Sequence, residues 1–298
     1  MTEYAEQVVR LCFLVVQKLD VMKNFNKAVF VADMYCNFSR LANYSSLLVE
    51  EGVLPLLMHL MDSHVHDDIL RRCTETLANL SMNRKNRREI ASSGIASRLQ
   101  TLFNTGSTAT RSSTLLIVGN LLSSGLFHDK VANHATISNI LDKLFDLNFP
   151  SQFNGVCFCL CQLSKVQSSC AVMVDCNVIP LLLQYIRKTP EESLDYMWML
   201  LTNITSYPAF FDELIVGSGA ELIEELHEEA RHDTSKLNRR KAIVKIGLNI
   251  SKRPDLSTFL TQPLIDNFVA TMKVLFSSRL GTEKIQMSAL VTLINFNY

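Results

Sequence analysis

One residue type returns along this chain at a nearly constant step. Asparagine near the end of an apolar run occurs at Asn37 (CNFS), Asn79 (LANLSMN), Asn120 (GNLLS), Asn203 (TNITS), Asn249 (LNISK) and Asn295 (INFNY). The steps are 42 and 41 residues, then 42 to Gln162 in LCQLS, 41 to Asn203, and 46 twice thereafter. A second marker keeps the same phase. GVLPLL holds Pro55 and NVIPLL holds Pro180, 125 residues apart, with GIASRL and TISNIL between them and GAELIE and QPLIDN after them. Two chemically different markers at one period of this length specify stacked helical units, none of which buries its apolar face alone.

Read as chemistry rather than spacing, the tripeptides at Asn37, Asn79, Asn203 and Asn249 are acceptor sequons for an N-linked glycan. The rest of the sequence speaks against a secreted protein. Glu3 and Glu6 stand where a signal peptide carries basic residues, and its apolar run LCFLVV is short. The eight cysteines mostly lie in apolar helical runs, which predicts buried, reduced thiols and a reducing compartment. No stretch is long enough to span a bilayer, so direct membrane insertion is not expected. Equal numbers of basic and acidic residues, 29 each, remove the electrostatic case for nucleic acid.

Each unit reads as three helices. A short first helix ends at a turn residue, as SSLLVEEG does at Gly52. A second starts with an apolar pair and often Pro in its first turn, where the missing N–H costs nothing. A longer third helix carries the asparagine near its C-terminus. Leu56, Leu57, Leu60 and Met61, like Leu181, Leu182, Tyr185 and Ile186, follow helical spacing.

GVLPLL, NVIPLL and the recurring Asn-apolar-Ser/Thr at the end of a long helix resemble armadillo repeats over nearly the whole chain. The resemblance implies an all-α fold, a right-handed armadillo-type superhelix of stacked three-helix repeats whose third helices line a concave groove. It divides residues 1–298 into a partial unit at 1–42 and units at about 43–83, 84–125, 126–166, 167–206, 207–252 and 253–298. Ending on an apolar helix suggests a segment of a longer protein, or an end covered by a partner. The last two units carry extra residues at HEEARHDTSKLN and FSSRLGTEK, expected to form loops on one face.

In armadillo proteins that hold extended peptides, the ladder amide offers a donor and an acceptor to the peptide backbone. By resemblance that role falls to Asn37, Asn79, Asn120, Asn203, Asn249 and Asn295, with Gln162 a longer variant. Asparagine near a helix C-terminus also braces helices with no partner involved, and both readings stand at this stage. The importin-α groove adds a Trp four residues before each Asn. Here those positions are Asp33, Glu75, Leu116, Phe158, Met199, Lys245 and Val291, and the sole tryptophan, Trp198, is out of phase. One turn further back run Phe30, Arg72, Ser113, Gly155, Tyr196, Ala242 and Ser288. The expected partner-binding surface is polar at Arg72 and Glu75 and apolar around Phe158, Tyr196 and Met199. That suits an extended peptide or an amphipathic helix of a partner protein.

KLNRRKAIVKIGLNISKR holds seven basic residues and no acid, and ELIEELHEEA just before it is acidic. Lys241 and Lys245 are candidates to meet an acidic partner, against the alternative that the two segments neutralise each other. NRKNRRE resembles a nuclear-localisation cluster but falls where a solvated link between helices belongs. In CFCLC a helix aligns only Cys157 with Cys161 and no histidine pair follows, so no zinc site is expected there, while HVHDD, from His64, offers adventitious metal binding in a loop. No catalytic constellation stands out, and neither enzyme activity nor a cofactor is expected. The sequence reads as a cytoplasmic, eukaryotic interaction scaffold or adaptor. Membership in a cytoskeletal, ciliary or membrane-associated assembly follows from resemblance alone. The alternatives are a regulatory armadillo domain controlling an enzyme or motor in a larger protein, and a karyopherin-type transport adaptor.

Overall fold

The computed structural model describes residues 3–18, 23–63, 66–131, 133–144, 150–186, 191–231, 237–253, 260–277 and 282–296. The described residues are helical and hold no strand. The helices are α1 (Glu3–Lys18), α2 (Phe25–Ser39), α3 (Ser45–Glu50), α4 (Val53–Ser63), α5 (Asp67–Met82), α6 (Arg87–Ser92), α7 (Ala96–Thr105), α8 (Thr108–Leu122) and α9 (His128–Val131). They continue as α10 (His134–Leu144), α11 (Pro150–Leu163), α12 (Gln167–Asp175), α13 (Val178–Ile186), α14 (Glu191–Thr205), α15 (Phe211–Arg231), α16 (Leu237–Ser251), α17 (Gln262–Ser277) and α18 (Glu283–Asn295).

The chain forms two compact units. The first holds residues 1–131 and 146–159, the second 132–145 and 160–298, so the division falls inside α11. In the first unit the long helices α2, α5 and α8 pack side by side; in the second, α14, α16 and α18 do. The turn between a repeat's first and second helix is set by one left-handed residue. Gly52 (φ 89°), Gly94 (φ 86°) and Asn177 (φ 56°) occupy equivalent places, and Asn tolerates this region better than other side chains. Pro55 and Pro180 follow within the first turn of α4 and α13.

The buried stripe of α4 is wider than its sequence spacing indicates. Val53, Leu54, Leu57, Met58, Leu60 and Met61 are all buried, whereas Leu56 is only half-buried. A helix between two neighbours needs two apolar faces, which a single i, i+3, i+4 stripe understates. Fully burying each such leucine contributes roughly 1.5–3 kcal/mol. Trp198, on α14, is 1% exposed and belongs to the core of the second unit.

The extra residues of the last repeats differ from expectation. Phe211–Arg231 is one continuous 21-residue helix that merges what the sequence divides into two. His227–Arg231 of the first insertion extends that helix, and Leu237 and Asn238 open α16, while 232–236 lie outside the described residues. Phe276 and Ser277 close α17, Glu283 and Lys284 open α18, and 278–281 are likewise outside. Gly217 and Gly219 do not break α15, because no proline and no alternative capping bond competes with its helical bonds there.

Candidate functional site

Five of the third helices end in the same hydrogen-bond device. Ser39, Ser81, Ser164, Thr205 and Ser251 each stand two residues after a ladder position, and all are buried. Each hydroxyl donates to a carbonyl three residues back: Ser39 to Cys36 (2.7 Å), Ser81 to Ala78 (2.7 Å), Ser164 to Cys161 (2.8 Å), Thr205 to Thr202 (3.0 Å) and Ser251 to Leu248 (3.1 Å). These carbonyls belong to the last turn, where helical partners run out. The hydroxyl hydrogen is thereby used, and its lone pairs face the next repeat.

The next ladder amide meets that lone pair. Nδ2 of Asn79 donates to Ser39 Oγ (2.9 Å) and Asn120 to Ser81 Oγ (2.9 Å). In the second unit Asn203 donates to Ser164 Oγ (2.9 Å), Asn249 to Thr205 Oγ1 (3.2 Å) and Asn295 to Ser251 Oγ (3.0 Å). A hydroxyl already committed as donor can only accept, which fixes which end of the amide points to it. The sequon-like tripeptide is thus a structural unit: its Ser or Thr serves the following asparagine. The sequence reading named the asparagines and missed these hydroxyls, although the recurring N-x-S/T was the signal.

The rule holds where the pattern breaks. Asn120 is followed at the same offset by Leu122, which offers no hydroxyl, and the next ladder residue is Gln162 rather than Asn. Gln162 Oε1 instead accepts from Lys165 Nζ at 2.5 Å. Asn37, the first rung, accepts from Arg40 Nη1 at 3.3 Å.

The brace uses one end of each amide. Among the described residues, Oδ1 of Asn79, Asn120, Asn203, Asn249 and Asn295 has no partner. Asn203 commits Nδ2 further, to the Cys161 carbonyl at 3.3 Å. The ladder therefore braces, and each of these amides keeps its oxygen unengaged.

The open faces of the two units differ chemically. In the first, Arg72 Nε pairs with Asp33 (2.5 Å), Arg72 Nη1 lies 3.9 Å from Glu75, and Arg40 pairs with Glu75 (2.5 Å). Burial raises the Glu75 carboxyl, but the bond from Arg40 and the charges of Arg40 and Arg72 outweigh it and hold the group below its ordinary range. The two sequence-predicted polar site residues, Arg72 and Glu75, thus satisfy each other's neighbourhood. Phe30 and Leu116 are exposed on this face. Phe158 is half-buried with its ring over Gly119, where an added Cβ would strike it, so this ring packs α11 onto α8.

In the second unit, residues four apart form rows ending in the ladder amide. On α14 Met199 is 40% exposed beside half-buried Tyr196; on α18 Met287 (54%) and Val291 (41%) are exposed. On α16 Lys241 and Lys245 are exposed and have no carboxylate partner among the described residues. Neutralisation of this basic helix is partial. Arg239, 4% exposed, pairs with Asp195 (3.1 Å) and with Glu229 on α15 (3.4 Å). It leaves the two lysines unpaired.

The thiols are structural. Cys159 donates to the Leu115 carbonyl (3.0 Å) and Cys170 to the Ser164 carbonyl (3.0 Å). Burial pushes Cys159 and Cys170 each up to about 12. Burial likewise raises Cys161 to about 11, with Lys165 opposing. Among the described residues no three of His, Cys, Asp or Glu form a metal-holding group. His64 lies outside the described residues, and His66 caps α5 by accepting from the Asp68 amide. Among the described residues no single helix is long and apolar enough to cross a membrane, although α12 and α13 pass as a pair bent by 77°.

Residues 43–82 match the family model of the Armadillo/beta-catenin-like repeat. The solved structures that resemble the chain include three that are informative. A crystal structure of an engineered protein aligns with TM-score 0.79 at 15% identity, over 97% of this chain and 68% of that one. The designed armadillo repeat protein YIII(Dq)4CqI aligns at 0.68 and 15% identity, over 82% of this chain and 100% of its own. The designed armadillo repeat protein YIII(Dq.V1)4CPAF, in complex with the peptide (KR)4, aligns at 0.57 and 12% identity, over 97% of this chain and 99% of its own. No curated protein shows significant sequence similarity. Residues 43–82 are thus a recognised armadillo repeat, and the described helices have the all-α armadillo-repeat fold.

Proposed function

We propose that this protein is a non-catalytic interaction scaffold. It holds an acidic, apolar-bearing segment of a partner protein along the open face of α14, α16 and α18. The observation that carries this reading is the coincidence on one face of unengaged amide acceptors, exposed apolar side chains and two unpaired lysines. Oδ1 of Asn203, Asn249 and Asn295 receives backbone N–H groups of an extended chain. Met199, Met287 and Val291 take alternate apolar side chains, and Lys241 and Lys245 take carboxylates between them. The peptide complex of a structural relative supports this mode of use for the fold. The six buried thiols fit a reducing, cytoplasmic setting.

A transport adaptor for basic peptides is disfavoured. The acids that would receive basic side chains, Asp33 and Glu75, are already paired with Arg72 and Arg40. The test is fluorescence anisotropy with a labelled peptide of alternating glutamate and leucine, set against (KR)4. The acidic peptide binds, and Lys241→Glu with Lys245→Glu weakens it by about tenfold, equivalent to about 1.4 kcal/mol. Tighter binding of (KR)4, or indifference to the lysine reversals, overturns the proposal.

A further inference from the structure

A second constellation lies in the first unit, at the short link between α5 and α6. Arg84, Lys85, Arg87 and Arg88, with Ser124 and Leu126, line a cleft of about 380 Å³. Four other arginines of this unit are matched to acids, Arg10 to Glu51, Arg40 to Glu75, Arg72 to Asp33 and Arg98 to Asp62, while Arg111 meets the Asn104 carbonyl. In the cleft, none of the four cations has a carboxylate partner among the described residues.

Arg87 forms the floor. It is 9% exposed, and its partners are all neutral: the Ser81 carbonyl (2.7 Å), the Met82 carbonyl (3.2 Å), Ser123 Oγ (2.7 Å) and Ser124 Oγ (2.8 Å). A guanidinium has five N–H donors, so one on Nη2 stays unused. Ser123 spends its own hydrogen on the Asn120 carbonyl, whereas the Ser124 hydroxyl hydrogen has no acceptor among the described residues. Burial and the nearby Arg84 charge both lower the Arg87 pKa, the mark of a cation short of negative charge. Burying an unpaired charge is costly, and an anion in the cleft removes that cost. The exposed Arg84, Lys85 and Arg88 are placed to close over it.

The ligand chemistry follows from the donors. A guanidinium edge, a hydroxyl donor and three exposed cations match the three oxygens and double charge of a phosphate monoester. The cluster ends abruptly at exposed Glu89 and the chain is neutral overall, so there is no extended basic track for a polyphosphate backbone or an anionic membrane. We propose that this cleft binds the phosphate of a phosphoserine or phosphothreonine side chain carried by a partner protein.

The experiment uses the full chain and a labelled peptide pool with a central phosphoserine and randomised flanks. The unphosphorylated pool, a single-stranded oligonucleotide and vesicles containing a phosphatidylinositol phosphate serve as rival ligands. The phosphorylated pool binds saturably, and inorganic phosphate competes. Arg84→Gln with Lys85→Gln and Arg88→Gln changes only exposed side chains and lowers affinity at least tenfold with an unshifted melting temperature. Ser124→Ala lowers it severalfold. The proposal is overturned if the unphosphorylated pool binds equally, if the triple variant binds as the parent does, if no phosphorylated peptide binds, or if vesicles or oligonucleotide bind more tightly than peptide.

Discussion

The third helices of the two units use one brace and end with opposite surfaces. In both, an asparagine donates to the hydroxyl of the previous repeat, at 2.9 Å for Asn120 on Ser81 and 2.9 Å for Asn203 on Ser164. Above the brace, the first unit closes its charges among themselves through Asp33, Arg72, Glu75 and Arg40. The second leaves Lys241 and Lys245 unpaired beside exposed Met199 and Val291. The contrast separates what stacks repeats from what recognises partners. Stacking chemistry repeats; the side chains one and two turns before it do not.

The largest effect expected from breaking this comparison is at Arg239. Its removal strands Asp195 and Glu229, so Arg239→Ala should destabilise the second unit by about 3 kcal/mol, read from chemical denaturation. Next comes the brace itself. Ser81→Ala and Asn120→Ala should each cost about 1 kcal/mol, with a double-mutant cycle showing that the second change adds little to the first. Additive losses would mean that the two side chains act separately.

A smaller effect belongs to the closed charges of the first unit. The Glu75 carboxyl is depressed in the folded state, so its contribution is present above the unfolded value of about 4.3 and is lost as pH falls through the folded value. Melting temperature should therefore drop more steeply below about pH 4 in the parent than in Glu75→Gln. The smallest effect is expected at Asp33→Asn. This partly exposed pair should be worth under about 1 kcal/mol and should weaken with added salt.

The period and the turn residue Gly52 were legible because each is a local requirement, whereas the equivalent turns at Gly94 and Asn177 emerge from the backbone geometry. The ladder asparagines were legible as a pattern but not as a mechanism. A tripeptide does not reveal that its hydroxyl serves an amide about 40 residues onward, such as Asn79 on Ser39. The merged helix α15 escaped the reading because Gly217 and Gly219 lower helix propensity without breaking a helix that no proline interrupts. Charge pairing escaped it too. Arg239 and Lys241 lie two residues apart in one basic run, yet one is buried between two acids and the other is free in solvent.

By itself the sequence determined that this chain is a stack of like helical repeats. Apolar periodicity and turn chemistry act over a few residues and tolerate few alternatives. Tertiary structure alone decided which charges neutralise each other and which amide edge stays open. Those outcomes depend on distances between side chains a whole repeat apart, where a shift of a few ångströms separates a hydrogen bond from none.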